Sequence, residues 1–184
     1  MLTILATSSI GAELATDQRF PTLAGEFLSG RKAVLPEAAA GRVALLAIGF
    51  SYESRFAVEA WVKRFRADYG ANPQVTFFEI PMIGGIAQLG KWFIDSGMRS
   101  GTPKADHEHV ITVYGGTGPW KERLGYSDAR AAHIVLLDAK GRIRWRFSGA
   151  FDDAAYQALS AEMSLQLATS QGDVLPAVPP MRQR

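Results

Sequence analysis

The 184-residue sequence contains no cysteine, and that absence excludes more than any residue present assigns. Without a thiol the chain cannot carry out thiol–disulfide exchange on its own side chains, be stapled by disulfides or offer thiolate ligands to a metal. It tolerates oxidising and reducing surroundings alike, so the compartment stays open. An excess of one charge is missing as well: 20 Lys and Arg stand against 18 Asp and Glu, a formal net charge of +2. The basic residues are dispersed rather than gathered in the stripe that tracks a phosphate backbone, so nucleic acid is not an expected partner. Long hydrophobic runs are also lacking. None reaches the roughly 18 apolar residues that read as a membrane span, yet 47% of the residues are apolar, enough for one core in a domain that is not membrane-spanning.

What is there centres on an apolar run at 43–48, bounded by Gly41 and Gly49, which reads as a strand buried on both faces. Phe50-Ser51-Tyr52-Glu53-Ser54 then turns the chain into an amphipathic helix. Phe56, Ala60, Trp61, Phe65 and Tyr69 are its expected apolar face, with Arg55, Glu59, Lys63, Arg66 and Asp68 facing away. Ser51 is its candidate N-cap. Before the run, 25–28 and 32–35 predict a hairpin around Ser29-Gly30-Arg31, stopped by Pro36. After the helix, 75–80 reads as a strand and 81–85 as a loop. The spacing over 86–98 predicts a helix whose apolar face is Ile86, Leu89, Trp92, Phe93 and Ile94, with Gly97, Gly101 and Pro103 marking its end or a break.

A third strand is expected at 110–114, a turn at 115–119 and one or two helical turns from Trp120 to Leu124. Then 133–137 and 142–147 form the clearest hairpin, its second arm alternating charged with apolar residues. Asp152 and Asp153 cap a last helix with Ala155, Leu159 and Met163 on one face. Residues 13–168 make one domain and 169–184, with Gly172, three prolines and a basic end, a loose tail. Residues 1–12 have the apolar, small-residue character of the latter part of a secretory signal without its basic start, or else form a flexible arm or first helix. On the signal alternative the mature protein begins near Glu13 and is exported, periplasmic in a bacterium; a cytoplasmic location is the other expectation.

Hairpin, strand, helix, strand, helix, strand, hairpin, helix is an α/β order. It fits a thioredoxin-like fold: a central mixed sheet with helices on both faces and an N-terminal β-hairpin. In such proteins the turn after the first buried strand carries Cys-x-x-Cys at a helix start; here Ser51 and Ser54 occupy those positions. More specifically, Phe20-Pro21 with Gly25 and Leu28, Pro103 with His107 leading into Val113-Tyr114-Gly115-Gly116, Leu124-Gly125, and Val135-x-Leu137-Asp138 with Gly141-Arg142-Ile143-Arg144-Trp145 resemble the ATP-ten family of mitochondrial ATP synthase assembly factors. More distantly the chain resembles peroxiredoxins and periplasmic thiol reductases. The family resemblance implies a role in maturing the membrane part of an ATP synthase, by binding rather than by turnover. The N-terminus departs from an Arg-rich transit peptide. Where thioredoxins place a cis-proline before the fourth strand, this chain has Ala131-Ala132-His133, and a trans bond is expected because a cis bond without proline costs about 3 kcal/mol.

The candidate contact surface for a polypeptide partner, membrane-complex subunits included, comprises Ser51, Tyr52, Ser54, Arg55, Ala132 and His133. Trp120, in an apparent loop between Pro119 and Lys121, joins them as the aromatic expected to be exposed. The alternative is a small anionic ligand at the helix start, held by free amides and Arg55, or a hydrolase-like pair of Ser51 with His133 as base. Asp106, His107, Glu108 and His109 resemble metal ligands in type only; a polar lead into a strand, with His107 in a local hydrogen bond, accounts for them. Gly115-Gly116-Thr117-Gly118 lacks the Gly-Lys-Ser/Thr ending of a nucleotide loop and reads as a turn. No metal, cofactor or turnover is expected.

Overall fold

The expected hairpin around Gly30 forms, its first arm starting two residues earlier than read: β1 (Leu23–Phe27) runs antiparallel to β2 (Lys32–Leu35), with Gly30 at φ +91° in the left-handed region its turn requires. This computed structural model describes residues 13–85 and 90–172. The expectations for 1–12, for 86–89 and for 173–184 lie outside the described residues. In chain order there follow β3 (Val43–Gly49), α1 (Arg55–Tyr69), β4 (Val75–Ile83), α2 (Lys91–Gly101), β5 (Ile111–Tyr114), α3 (Thr117–Arg123), β6 (Ala132–Leu137), β7 (Ile143–Gly149) and α4 (Asp153–Gly172). The strands form one seven-stranded sheet in the order β2-β1-β5-β4-β3-β6-β7.

β3 lies between a parallel neighbour, β4, and an antiparallel one, β6. All seven of its residues are buried, which is why it reads as an unbroken apolar run. Alternation divides its side chains between two cores. Val43, Leu45 and Ala47 face α1 and α4, whose Trp61, Phe65, Leu159 and Met163 close that side. Ala44, Leu46 and Ile48 face a second core made by Leu14, Phe20, Trp120 and Leu124, so α3 and the N-terminal segment cover the other face. α2 sits on the α1 side, tied to Tyr114, because Ile111 and Val113 point into the second core.

Four expectations change. The strand read as 75–80 continues to Ile83, through the expected loop. Pro81 is paired with Gly49 at the last rung of the β3 ladder, and on its other side the strand pairs at Glu79 with Val110 and at Met82 with Val113. The apolar face of α1 is Ala57, Val58, Trp61, Val62 and Phe65, with Phe56 exposed; at about 100° per residue Phe56 lies opposite the Trp61–Phe65 stripe. The expected tail loses its first four residues to α4, which runs to Gly172. Trp92, assigned to an inward face of α2, is exposed, while Asp95 is buried. Among the described residues the one cis bond is Leu35–Pro36, so the bond before Ala132 is trans.

Candidate functional site

The turn between β3 and α1 is built by the two serines that stand in the dithiol positions. The Ser54 amide donates to Ser51 Oγ at 3.0 Å, and the Ser51 amide donates to Ser54 Oγ at 3.2 Å. Two backbone donors of the turn that leads into the helix are thus satisfied reciprocally by the two hydroxyls, Ser54 being the residue before the first helical position. Ser54 is fully buried and its hydroxyl donates to the Ser51 carbonyl at 2.8 Å. Gly49 makes room for it: a Cβ there would stand 2.6 Å from Ser54 Oγ. Ser51 Oγ donates to the Ala129 carbonyl at 2.5 Å. The Glu53 carboxylate competes for the same proton, its pKa held below the usual range by its own backbone amide and then by Ser51. The helix start therefore already has an anion beside it.

Outside this turn lies an exposed stack. The Arg55 guanidinium sits 3.9 Å from the Tyr52 ring centroid and 4.5 Å from that of Phe56, and the two rings are 69% and 59% exposed. Tyr52 and Arg55 were legible as candidates; Phe56 was not, having been assigned to the core face.

The other expected contact residues are buried. Ala132 is fully covered and His133 is 1% exposed. His133 packs edge-on against Phe50 at 5.4 Å and shares its Nδ1 with Ser148 Oγ at 2.8 Å. Burial lowers its pKa, with the Leu124 carbonyl opposing and the Arg146 charge adding to the fall. Ser51, with its proton shared between Ala129 and Glu53, and His133, turned to Ser148, are not bonded to each other. Trp120 is 7% exposed, stacked on Phe20 at 5.4 Å. Its cover comes from a segment 100 residues upstream, which local sequence does not announce. His107 bonds the Thr102 carbonyl and His109 the Phe77 carbonyl, each at 3.0 Å, so the two imidazoles serve separate structural ends. Gly115 and Gly116 both have positive φ, the geometry of a turn before a two-turn helix.

Beside the aromatic stack a groove of about 730 Å³ opens between the first half of α1 and α2, floored by the end of β4. Its size is that of a ligand or peptide site. Tyr52, Arg55 and Val58 line one wall, Ile94, Gly97, Met98 and Gly101 the other, and Glu79, Pro81 and Ile83 the floor. The α2 wall is fixed from behind: the Tyr114 hydroxyl donates to Asp95 at 2.5 Å, and Arg99 Nε donates to the Leu28 carbonyl at 2.7 Å. Desolvation raises the Glu79 pKa to about 7, with Glu59 and Asp106 adding to the rise and Arg66 opposing it. Ser51, Tyr52, Ser54 and Arg55, expected from the sequence as contact residues, all line this groove; Glu79 on its floor was not among them. The signal was a single carboxylate at an inward position of an otherwise apolar strand.

The ATP10 protein family model matches residues 14–164, most of the described chain. The chain belongs to the ATP10 family. No curated protein matches the sequence. Solved structures show the fold of this ATP10 chain to be thioredoxin-like. A protein described as a disulfide isomerase from Bacteroides thetaiotaomicron superposes with a TM-score of 0.59 at 15% identity, over 87% of this chain and 94% of its own. A thiol peroxidase from Chromobacterium violaceum gives 0.54 at 16%, over 84% and 91%. BsSco, a member of the Sco family of cytochrome c oxidase assembly proteins, gives 0.56 at 10%, over 84% and 97%. The ATP10 chain shares their outline and carries serine hydroxyls, bonded into its backbone, at the helix start.

Proposed function

We propose that this ATP10-family chain is a non-catalytic assembly protein that holds a polypeptide component of a membrane complex such as F-type ATP synthase, at the α1 end of the sheet. The observation that carries this is the exposed Tyr52–Arg55–Phe56 stack on the lip of an apolar groove. Tyrosine and arginine are favoured anchors of protein interfaces, and aromatic rings bring large contact area at small entropic cost. Family membership supports an assembly role, and the fold is compatible with one, since BsSco carries its own assembly function on the same outline. The serine hydroxyls are used up in bonds to backbone groups, which suits a contact surface better than a nucleophile. On this proposal the protein works on the exported side of the membrane, which fractionation of cells expressing the full-length chain would test.

The main test is affinity capture of the tagged full-length protein after mild cross-linking and membrane solubilisation, beside a Tyr52→Ser/Phe56→Ser variant. Enrichment of membrane-sector ATP synthase subunits with the native chain and their loss with the variant is the expected result. Recovery of the bait alone in both cases overturns the proposal.

A further inference from the structure

The groove between α1 and α2 carries a feature that a general contact surface does not need. Glu79 stands on β4 on the same face as Val75 and Phe77, half-buried at the groove floor. Among the described residues its carboxylate has no hydrogen bond or ion pair. A carboxylate in apolar surroundings is costly unless an opposite charge reaches it. The charges that face it do not fill that role. Glu59 of α1 and Asp106 of the turn Lys104–His109 share its sign, and Arg66 of α1, although attractive, is bonded to Asp106 at 2.8 Å. Arg55, at the mouth, is stacked between two rings. From α2, Lys91 and Arg99 reach Asp95 and Glu26 instead.

The α2 wall is shaped for a chain rather than a compact molecule. Ile94, Gly97, Met98 and Gly101 follow one another at i, i+3, i+4 and i+7, a trough about 10 Å long. Both glycines hold it open, because a Cβ at either would meet nothing within 4 Å. Methionine adapts to varied apolar partners, and the trough is continuous with the Tyr52–Arg55 lip.

We propose that the groove binds an apolar peptide segment of the partner that carries one basic side chain, its cationic head reaching Glu79 while small or apolar neighbours lie along α2. This rests on the polypeptide-binding role proposed above and adds the chemistry by which the segment is chosen.

The test is calorimetric titration of the full-length protein with two synthetic peptides, an Ala/Leu decamer with a central lysine and the same decamer with norleucine in its place, each with polar ends for solubility. At pH 8 the lysine peptide binds at least tenfold more tightly. That preference disappears in Glu79→Gln and shrinks at pH 5.5, where the carboxyl is protonated. Gly97→Leu fills the trough and loses both peptides, with circular dichroism unchanged. Equal binding of the two peptides, or a preference that survives Glu79→Gln, overturns the charge recognition; failure of the native protein to bind either overturns the groove as the site. If ATP synthase subunits are still captured by Glu79→Gln and Gly97→Leu but not by Tyr52→Ser/Phe56→Ser, the groove proposal fails and the assembly role stands. If the native chain captures none, the assembly role fails independently of the peptides.

Discussion

Glu79 is the residue whose ionisation the fold opposes. Its folded pKa of about 7 lies above its ordinary value near 4.5, so between those values the folded state holds the proton more firmly than the unfolded chain. Stability from this group therefore falls as pH rises through that window, and the cost is complete above about pH 7. Replacing the carboxyl by an amide removes the titration. Glu79→Gln should raise the free energy of unfolding by on the order of 2 kcal/mol at pH 8 and by almost nothing near pH 4, read from urea midpoints at both values. Equal midpoint shifts at the two pH values would show that the carboxyl is not disfavoured by the fold. Glu79 could be seen in the sequence as the one charge in 75–80, but alternation gives only its face; that this face is a groove depends on α2, a separate element. Ser51, expected as the N-cap, instead closes the turn ahead of the cap residue Ser54; that it would bond locally was legible, since its partner is three residues away. The covering of His133 and Trp120 by Phe50 and Phe20 was not, because such packing is decided by tertiary contact.

At the scale of elements, strands and turns were the legible part. β3 announced itself by an apolar run between glycines, and the hairpin of β6 and β7 by Asp138 to Gly141 between a buried arm and an alternating one. Helix faces were harder. A stripe assembled from Phe56 and Ala60 as well as Trp61 and Phe65 spans more than one side of α1, and only the sheet beneath selects between them. α2 was harder still, with glycines at 97 and 101 that looked like terminators. They are interior and final residues of the helix, where glycine has no conformational reason to stand: neither has the positive φ that favours it. A helical glycine without such a need lowers stability by roughly 0.5–1 kcal/mol relative to alanine. Gly97→Ala should thus gain about that much in chemical denaturation, since its Cβ enters open space. A loss of stability would mean that something already fills the trough.

For the whole molecule, residues 13–20 form a strap across one face of the sheet. The Leu14 amide donates to the Arg123 carbonyl at 3.1 Å, Asp17 to Ile143 at 2.7 Å and Phe20 to Gly141 at 2.9 Å. Arg144 pairs with Asp17, and Arg146 with Glu13 at 2.7 Å. Those exposed pairs contribute little each; the rings beneath them matter more. Phe20, 1% exposed, stacks on Trp120 and joins α3 to the core shared by β3 and β6. Removing such a ring takes away its burial and leaves a cavity, at about 3–5 kcal/mol, a large part of the stability of a domain this size. Phe20→Ala should therefore lower the urea midpoint steeply and shift the emission of Trp120 to the red, identified among the four tryptophans by a Trp120→Phe control. Because the strap lies on the face of the sheet opposite the α1–α2 groove, the variant should still bind the lysine decamer under conditions where it remains folded. Loss of peptide binding in a folded Phe20→Ala protein would show that the two faces are coupled through the sheet, and that the strap belongs to the binding machinery as well as to the core.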